Sequence, residues 1–71
     1  MRRKHEGYIF QFTRSDHGGR HIHVFKDDRQ LGVYDRLDGP IRGLKRVWNK
    51  HLQAGLERFI SELHDRGYFL G

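Results

Sequence analysis

The chain has no cysteine, a single proline, one methionine and one tryptophan in 71 residues. Without cysteine there is no disulfide framework and no thiolate zinc site. No apolar segment approaches the roughly 20 residues needed to span a bilayer, so no membrane span is expected. The basic start Met1-Arg2-Arg3-Lys4 runs into His5-Glu6-Gly7 rather than into an apolar stretch, so no signal peptide is expected either. A cytoplasmic protein is the resulting expectation. The P-loop, the Ser-His-Asp triad and the EF-hand are missing as well. Only one helix is clear, which excludes the helix pair of a helix-turn-helix. The length fits one small α+β domain over residues 1–71, near the lower limit for folding alone. So small a body has little room for a deep cofactor pocket, and no cofactor is expected.

What is present is charge and histidine. Fourteen Lys/Arg stand against nine Asp/Glu, a formal net charge of +5, and there are six histidines. A positive surplus on a small body favours polyanions through phosphate contacts and counterion release. It also serves solubility, so charge alone decides nothing.

Residues 1–6 read as a charged, mobile start. Residues 7–13 alternate, with Tyr8, Phe10 and Phe12 on one face, the mark of a strand. Residues 14–19 are polar and end in Gly18-Gly19, a hairpin loop. Residues 20–26 form the next strand: Ile22 and Val24 share one face, and His21, His23 and Phe25 the other. A polar turn over 27–30 leads to a strand at 31–36, with Leu31 and Val33 opposite Tyr34. Asp38-Gly39-Pro40 is a turn, and Pro40 cannot sit inside a central strand. Residues 41–48 suit either a helix or a short edge strand. Residues 49–66 carry an apolar stripe at helical spacing through Leu52, Leu56, Phe59, Ile60 and Leu63. Asn49 is a good N-cap and Gly67 a good C-terminal stop. Tyr68-Phe69-Leu70 would return to pack on the sheet or on a neighbour. The expected architecture is a three- or four-stranded antiparallel sheet with the C-terminal helix on one face. Ile22 and Val24 then face the helix, and His21 and His23 face out.

His21-Ile22-His23-Val24-Phe25 is the stretch richest in chemistry. In a catalytic reading, His21 and His23 act as general base and acid on RNA, whose own 2′-hydroxyl is the nucleophile. Arg14, Arg20 and Lys26 would contact phosphate, and Phe25 would stack a base on the same face. In a metal reading, His21 and His23 are joined by His17 or Asp16 of the loop. In the plainest reading both imidazoles are solvated strand residues. The loop pair Asp16-His17 with Gly18-Gly19 admits an imidazole orienter and a close phosphate approach, or merely a hairpin closure. Trp48, Tyr8 and Tyr34 supply core or stack bases. His5, His51 and His64 are expected to be solvated.

Gly7-Tyr8-Ile9-Phe10 followed by His21-Ile22-His23-Val24 resembles a family of small bacterial proteins of unknown function with a His-x-His-Val strand after a hairpin loop. The resemblance spans roughly residues 7 to 36. Members often carry proline before the first histidine, where this chain has Gly18-Gly19-Arg20. It implies a toxin–antitoxin component encoded beside a small antitoxin-like partner. Gly19-Arg20-His21 is also similar to the Gly-x-His motif of HicA-type toxins, which have a double-stranded-RNA-binding-like fold. That similarity implies a catalytic role for His21 alone. The chain departs from it at Arg20, where serine or threonine is usual, and in having no helix before the first strand. The expected function is RNA binding with toxin-like endoribonuclease activity. The rivals are a non-enzymatic module for nucleic acid or protein, and a metal-binding domain. An exposed sheet edge and the C-terminal aromatic tail also allow a homodimer.

Overall fold

The computed structural model describes residues 1–13 and 19–69. It is an α+β fold in which a five-stranded antiparallel meander, β1-β2-β3-β4-β5, packs against one C-terminal helix. The strands are β1 (Arg2–His5), β2 (Tyr8–Phe12), β3 (His21–Lys26), β4 (Arg29–Asp35) and β5 (Gly39–Ile41). A 3-10 turn over Leu44–Val47 leads into helix α1 (Lys50–Asp65). Among the described residues no helix is long and apolar enough to cross a membrane.

The sheet therefore has more strands than the three or four expected. The extra strand is β1, where a mobile start was expected. Glu6 and Gly7 form a two-residue loop with φ of 54° and 83°, the backbone of a tight primed hairpin. That turn brings Arg2, Arg3, Lys4 and His5 into register with Gln11, Phe10, Ile9 and Tyr8. Ladder bonds and a clamp from α1 outweigh the repulsion among the three cations. Arg3 Nε lies 3.4 Å from Glu62 Oε2, and the half-buried His5 imidazole contacts the other Glu62 oxygen. His5 is thus a clamp rather than the solvated residue expected.

Period-two burial explains β2: Tyr8, Phe10 and Phe12 are buried, and Ile9 and Gln11 are less so. The buried trio meets Ile22 and Val24 of β3 and Leu52, Leu56, Phe59 and Leu63 of α1. Phe10 stacks on Phe59 with ring centroids 5.6 Å apart. Asn49 caps α1 by accepting from the amides of His51 and Leu52, and its own amide donates to Tyr8 Oη at 2.9 Å. Gly67, at φ 75°, ends the helix. Its N–H donates to the His64 carbonyl, and that of Tyr68 to Leu63, the paired bonds of a Schellman stop. The chain then turns Tyr68 and Phe69 edge-on against Phe12. Leu70 lies outside the described residues.

Residues 41–48 hold parts of both expected alternatives. Ile41 ends the edge strand β5, with Pro40 inside it where its missing donor costs no central ladder bond. Leu44, fully buried, heads the 3-10 turn, and Trp48 stacks on Tyr34 at 6.1 Å. Tyr8, Tyr34 and Trp48 therefore serve the core. A register shift on β4, between the pairs Val24↔Gly32 and Phe25↔Gln30, turns Leu31 onto the core side. Leu31 and Val33 were expected to share a face, and the bulge separates them.

The β3–β4 turn is Asp27-Asp28, both at positive φ (52° and 64°) between the paired Lys26 and Arg29. Asp tolerates this region less well than Gly. Asp28→Gly is expected to raise stability by about 0.5–1 kcal/mol, read as a higher urea midpoint with an unchanged slope. A lower midpoint would show that Asp28 makes a compensating interaction.

Candidate functional site

The helix, the 3-10 turn and the C-terminal aromatics all cover one face of the sheet. The other face is laid out by strand register. One transverse row reads Arg2, Gln11, His23, Val33 and Ile41. On one side of it lie Lys4, Ile9, Phe25 and Gln30, and on the other His21, Asp35 and Gly39. His21, His23 and Phe25 thus share the face expected of them. Burial, however, is graded along it. At one end His21 (6 % exposed), Asp35 (4 %) and Val33 (0 %) are buried; at the other, Arg2, Lys4 and Gln30 are exposed, with Phe25 and His23 half-buried beside them.

The buried end is organised by Asp35, which sequence reading did not single out. Its carboxylate accepts from the Leu37 amide at 2.8 Å and the Asp38 amide at 3.3 Å. Arg20 grips it through Nε and Nη2 at 3.0–3.2 Å. His21 Nε2 lies 3.2 Å from Asp35 Oδ2. The Leu37 amide is the largest influence on the carboxyl, and the Asp38 amide and Arg20 add to it against the opposing effect of burial. Together they hold its pKa at about 2, below the ordinary 3.8. The signal in the sequence was an aspartate closing a strand two residues before the next turn residues, the setting of an Asx turn.

Three of the expected site residues make contacts within the fold. His21 faces away from the helix as expected, but it is buried against a carboxylate rather than exposed. Arg20 is committed to Asp35, and more distantly to Asp38 at 3.4 Å, so its charge is already matched within the protein. Lys26 projects to the helix side, where its ammonium sits 4.8 Å from the Tyr8 ring centroid. It does not join the histidine face. Arg14 and His17 lie outside the described residues, as do Asp16 and the rest of residues 14–18. Among the described residues no group of three or more His, Cys, Asp or Glu side chains is arranged to hold a metal ion.

The open end has a different character. The Arg2 guanidinium lies over the Phe25 ring, 5.0 Å from its centroid, and donates to Gln11 Oε1. Gln30 Nε2 donates to His23 Nδ1 at 3.2 Å, which orients that imidazole. Lys4 stands two residues along β1 from Arg2, so both cations fall on this face. Arg2 and Lys4 were missed because the start of the chain was read as mobile; their i, i+2 spacing was the available signal. The remaining histidines sit apart. His51 is exposed, with Nδ1 3.6 Å from Glu6, and the exposed His64 meets Phe69 edge-on.

Chemically, the buried end can hold an imidazole in one orientation by a carboxylate, and the open end presents an aromatic ring under a guanidinium with a second cation nearby. A comparison of the chain with family models, with curated proteins and with solved structures found no match.

Proposed function

We propose that this chain binds single-stranded RNA through the open end of the sheet face turned away from α1. The observation that carries this reading is Arg2 lying over the half-buried Phe25, in register with Gln11 and His23 and two residues from Lys4. A base of any identity stacks on the Phe25 ring as the Arg2 guanidinium moves from it to a backbone phosphate, and Lys4 holds a second phosphate. The net charge of +5 supplies the long-range attraction.

The test is anisotropy of a short labelled oligouridylate titrated with protein over a range of salt. Base stacking on one aromatic is worth about 1–3 kcal/mol. Phe25→Ala is therefore expected to weaken binding about 10- to 100-fold. Replacing Arg2 and Lys4 with Gln is expected to lower the salt slope by about 1.4, roughly 0.7 per phosphate contact. A Phe25→Ala variant that binds like the wild type would sink the reading. So would wild-type binding that salt leaves unchanged.

A catalytic reading is favoured by one observation, the 3.2 Å approach of His21 Nε2 to the Asp35 carboxylate. A carboxylate that orients an imidazole is the usual support of a general base. The base would take the proton of the RNA 2′-hydroxyl as that oxygen attacks the adjacent phosphate, and the 5′-oxygen leaves with a proton taken from solvent. With His21 only 6 % exposed, this chemistry requires the buried end of the face to open on binding. Resolving the same titrated RNA on a gel decides it. RNA left intact by the wild type removes the catalytic reading and leaves the binding one standing.

A further inference from the structure

The basic surplus of the chain is not spread evenly. Residues 39–56 contain four cations, Arg42, Lys45, Arg46 and Lys50, and no Asp or Glu. The other 53 residues hold ten Lys/Arg against nine Asp/Glu, so this one segment carries +4 of the net +5. All four cations are exposed.

Several cations elsewhere in the fold are engaged. Arg3 pairs with Glu62, Arg20 with Asp35, Lys26 covers Tyr8, and Arg36 covers Phe69 at 3.5 Å. The side chains of Arg42, Lys45, Arg46 and Lys50 enter no ion pair or hydrogen bond among the described residues. Their backbone, by contrast, is pinned. Leu44 is fully buried, Trp48 stacks on Tyr34, and Asn49 bonds both to α1 and to Tyr8. The segment is a rigid strip with an apolar underside and an unmatched cationic outer side. Rigidity of this kind lowers the ordering cost of binding.

Two features of the strip work against stability. Arg42 is held at φ 52°, a region that a side chain disfavours. Lys50 occupies the first turn of α1, where the helix dipole favours an acid and no acid is present. Neither residue is explained by packing.

We propose that the strip Arg42–Lys50 is a second polyanion contact, one that takes the phosphodiester backbone of the same RNA. This rests on the reading of the chain as an RNA-binding protein, and adds a site on a different part of the surface. An anionic membrane also presents phosphates, but the strip offers a bilayer little apolar surface: Trp48 is stacked on Tyr34, and Val47 alone in the strip is an exposed large hydrophobic.

The experiment uses the full chain and a labelled oligouridylate. A variant with Arg42, Lys45, Arg46 and Lys50 all changed to Gln is compared with wild type and with Phe25→Ala. The expected result is a salt slope lower by about 3, from four contacts at roughly 0.7 each, and affinity lower by about 100-fold in 0.1 M salt. Lys50→Glu alone separates function from folding. It is expected to raise the melting temperature by relieving the dipole, and to weaken RNA binding. If the fourfold variant binds with wild-type affinity and slope while Phe25→Ala does not, the strip is overturned and the sheet-face reading survives. If wild-type protein binds no RNA, the reading of the chain fails and the strip with it. Binding to phosphatidylserine vesicles that the fourfold variant loses, with RNA affinity untouched, overturns the assignment to nucleic acid.

Discussion

Gly32→Ala is expected to cost about 3 kcal/mol, a large loss for the addition of one methyl group. A Cβ built on Gly32 would stand 2.5 Å from the Leu44 backbone nitrogen, 2.7 Å from its Cβ and 2.8 Å from its Cα. Real Cβ atoms do not tolerate such distances, and backbone cannot swing aside as a long side chain can. Gly32 pairs with Val24 of β3, and its neighbour Val33 is held between β3 and β5, so the strand yields little. The 3-10 turn must lift instead, and that pulls Leu44 from the core and disturbs Trp48 on Tyr34. Overpacking alone costs about 1–3 kcal/mol, and losing a buried leucine about 2–5. The whole fold of 71 residues has about 4–10 kcal/mol to lose. Urea unfolding is expected to show the midpoint falling by a third or more with an unchanged slope. Gly55→Ala is the control. Its Cβ meets His5 O at 3.0 Å and the Phe10 ring edge at 3.1 Å, contacts that tenths of an ångström relieve. The gain in helix propensity, about 1 kcal/mol, offsets the crowding. A Gly32→Ala variant within 1 kcal/mol of wild type would show that the strand and the turn do not press together as described.

Gly32 also marks the boundary between what the sequence discloses and what it conceals. Periodicity made the helix over 49–66, the strands around Phe10 and Val24 and the pairing of the histidines on one face legible, because each is a local pattern with a physical period. The strand β1 was concealed because Arg-Arg-Lys-His has no apolar alternation. It is held by a two-residue turn and by Glu62, fifty-seven residues from His5 along the chain. A glycine inside a strand signals a bulge or a close backbone approach, and Leu31-Gly32 is both. Which backbone approaches cannot be read from the pattern. The histidine site was half legible: alternation placed His21 opposite the helix, but exposure depends on cross-strand neighbours. Asp35, fourteen residues on, closes over it only through the register of β3 with β4.

Asp35→Asn is expected to destabilise the protein at neutral pH and to do so less and less as the solution is acidified. The carboxylate satisfies two backbone amides of the β4–β5 turn, the Arg20 guanidinium and His21 Nε2. An asparagine can still accept from the Leu37 and Asp38 amides through its one oxygen. Its amide nitrogen then takes the Oδ2 position, where Arg20 Nη2 now donates from 3.0 Å, and donor meets donor, while the Arg20 contacts to the retained oxygen weaken with the loss of charge. The lost charge also leaves Arg20 without its main partner. The sign of the pH effect follows from the carboxyl pKa, which is about 2 in the fold against an ordinary 3.8, chiefly because the Leu37 amide donates to it. A depressed acid pKa means that the unfolded chain takes up the proton first. The contribution of Asp35 is therefore complete above about pH 4 and is lost as pH falls toward 2. Melting temperatures followed by circular dichroism from pH 7 down to 2 should show wild type losing stability across that window. The Asp35→Asn curve should start lower and stay flatter there, so that the two converge near pH 2. Parallel curves from pH 4 to 2 would mean that the carboxylate titrates normally and that its contacts with the turn and with Arg20 do not hold in solution. His21 would then lose its orienting group, and with it the one observation that favours catalysis.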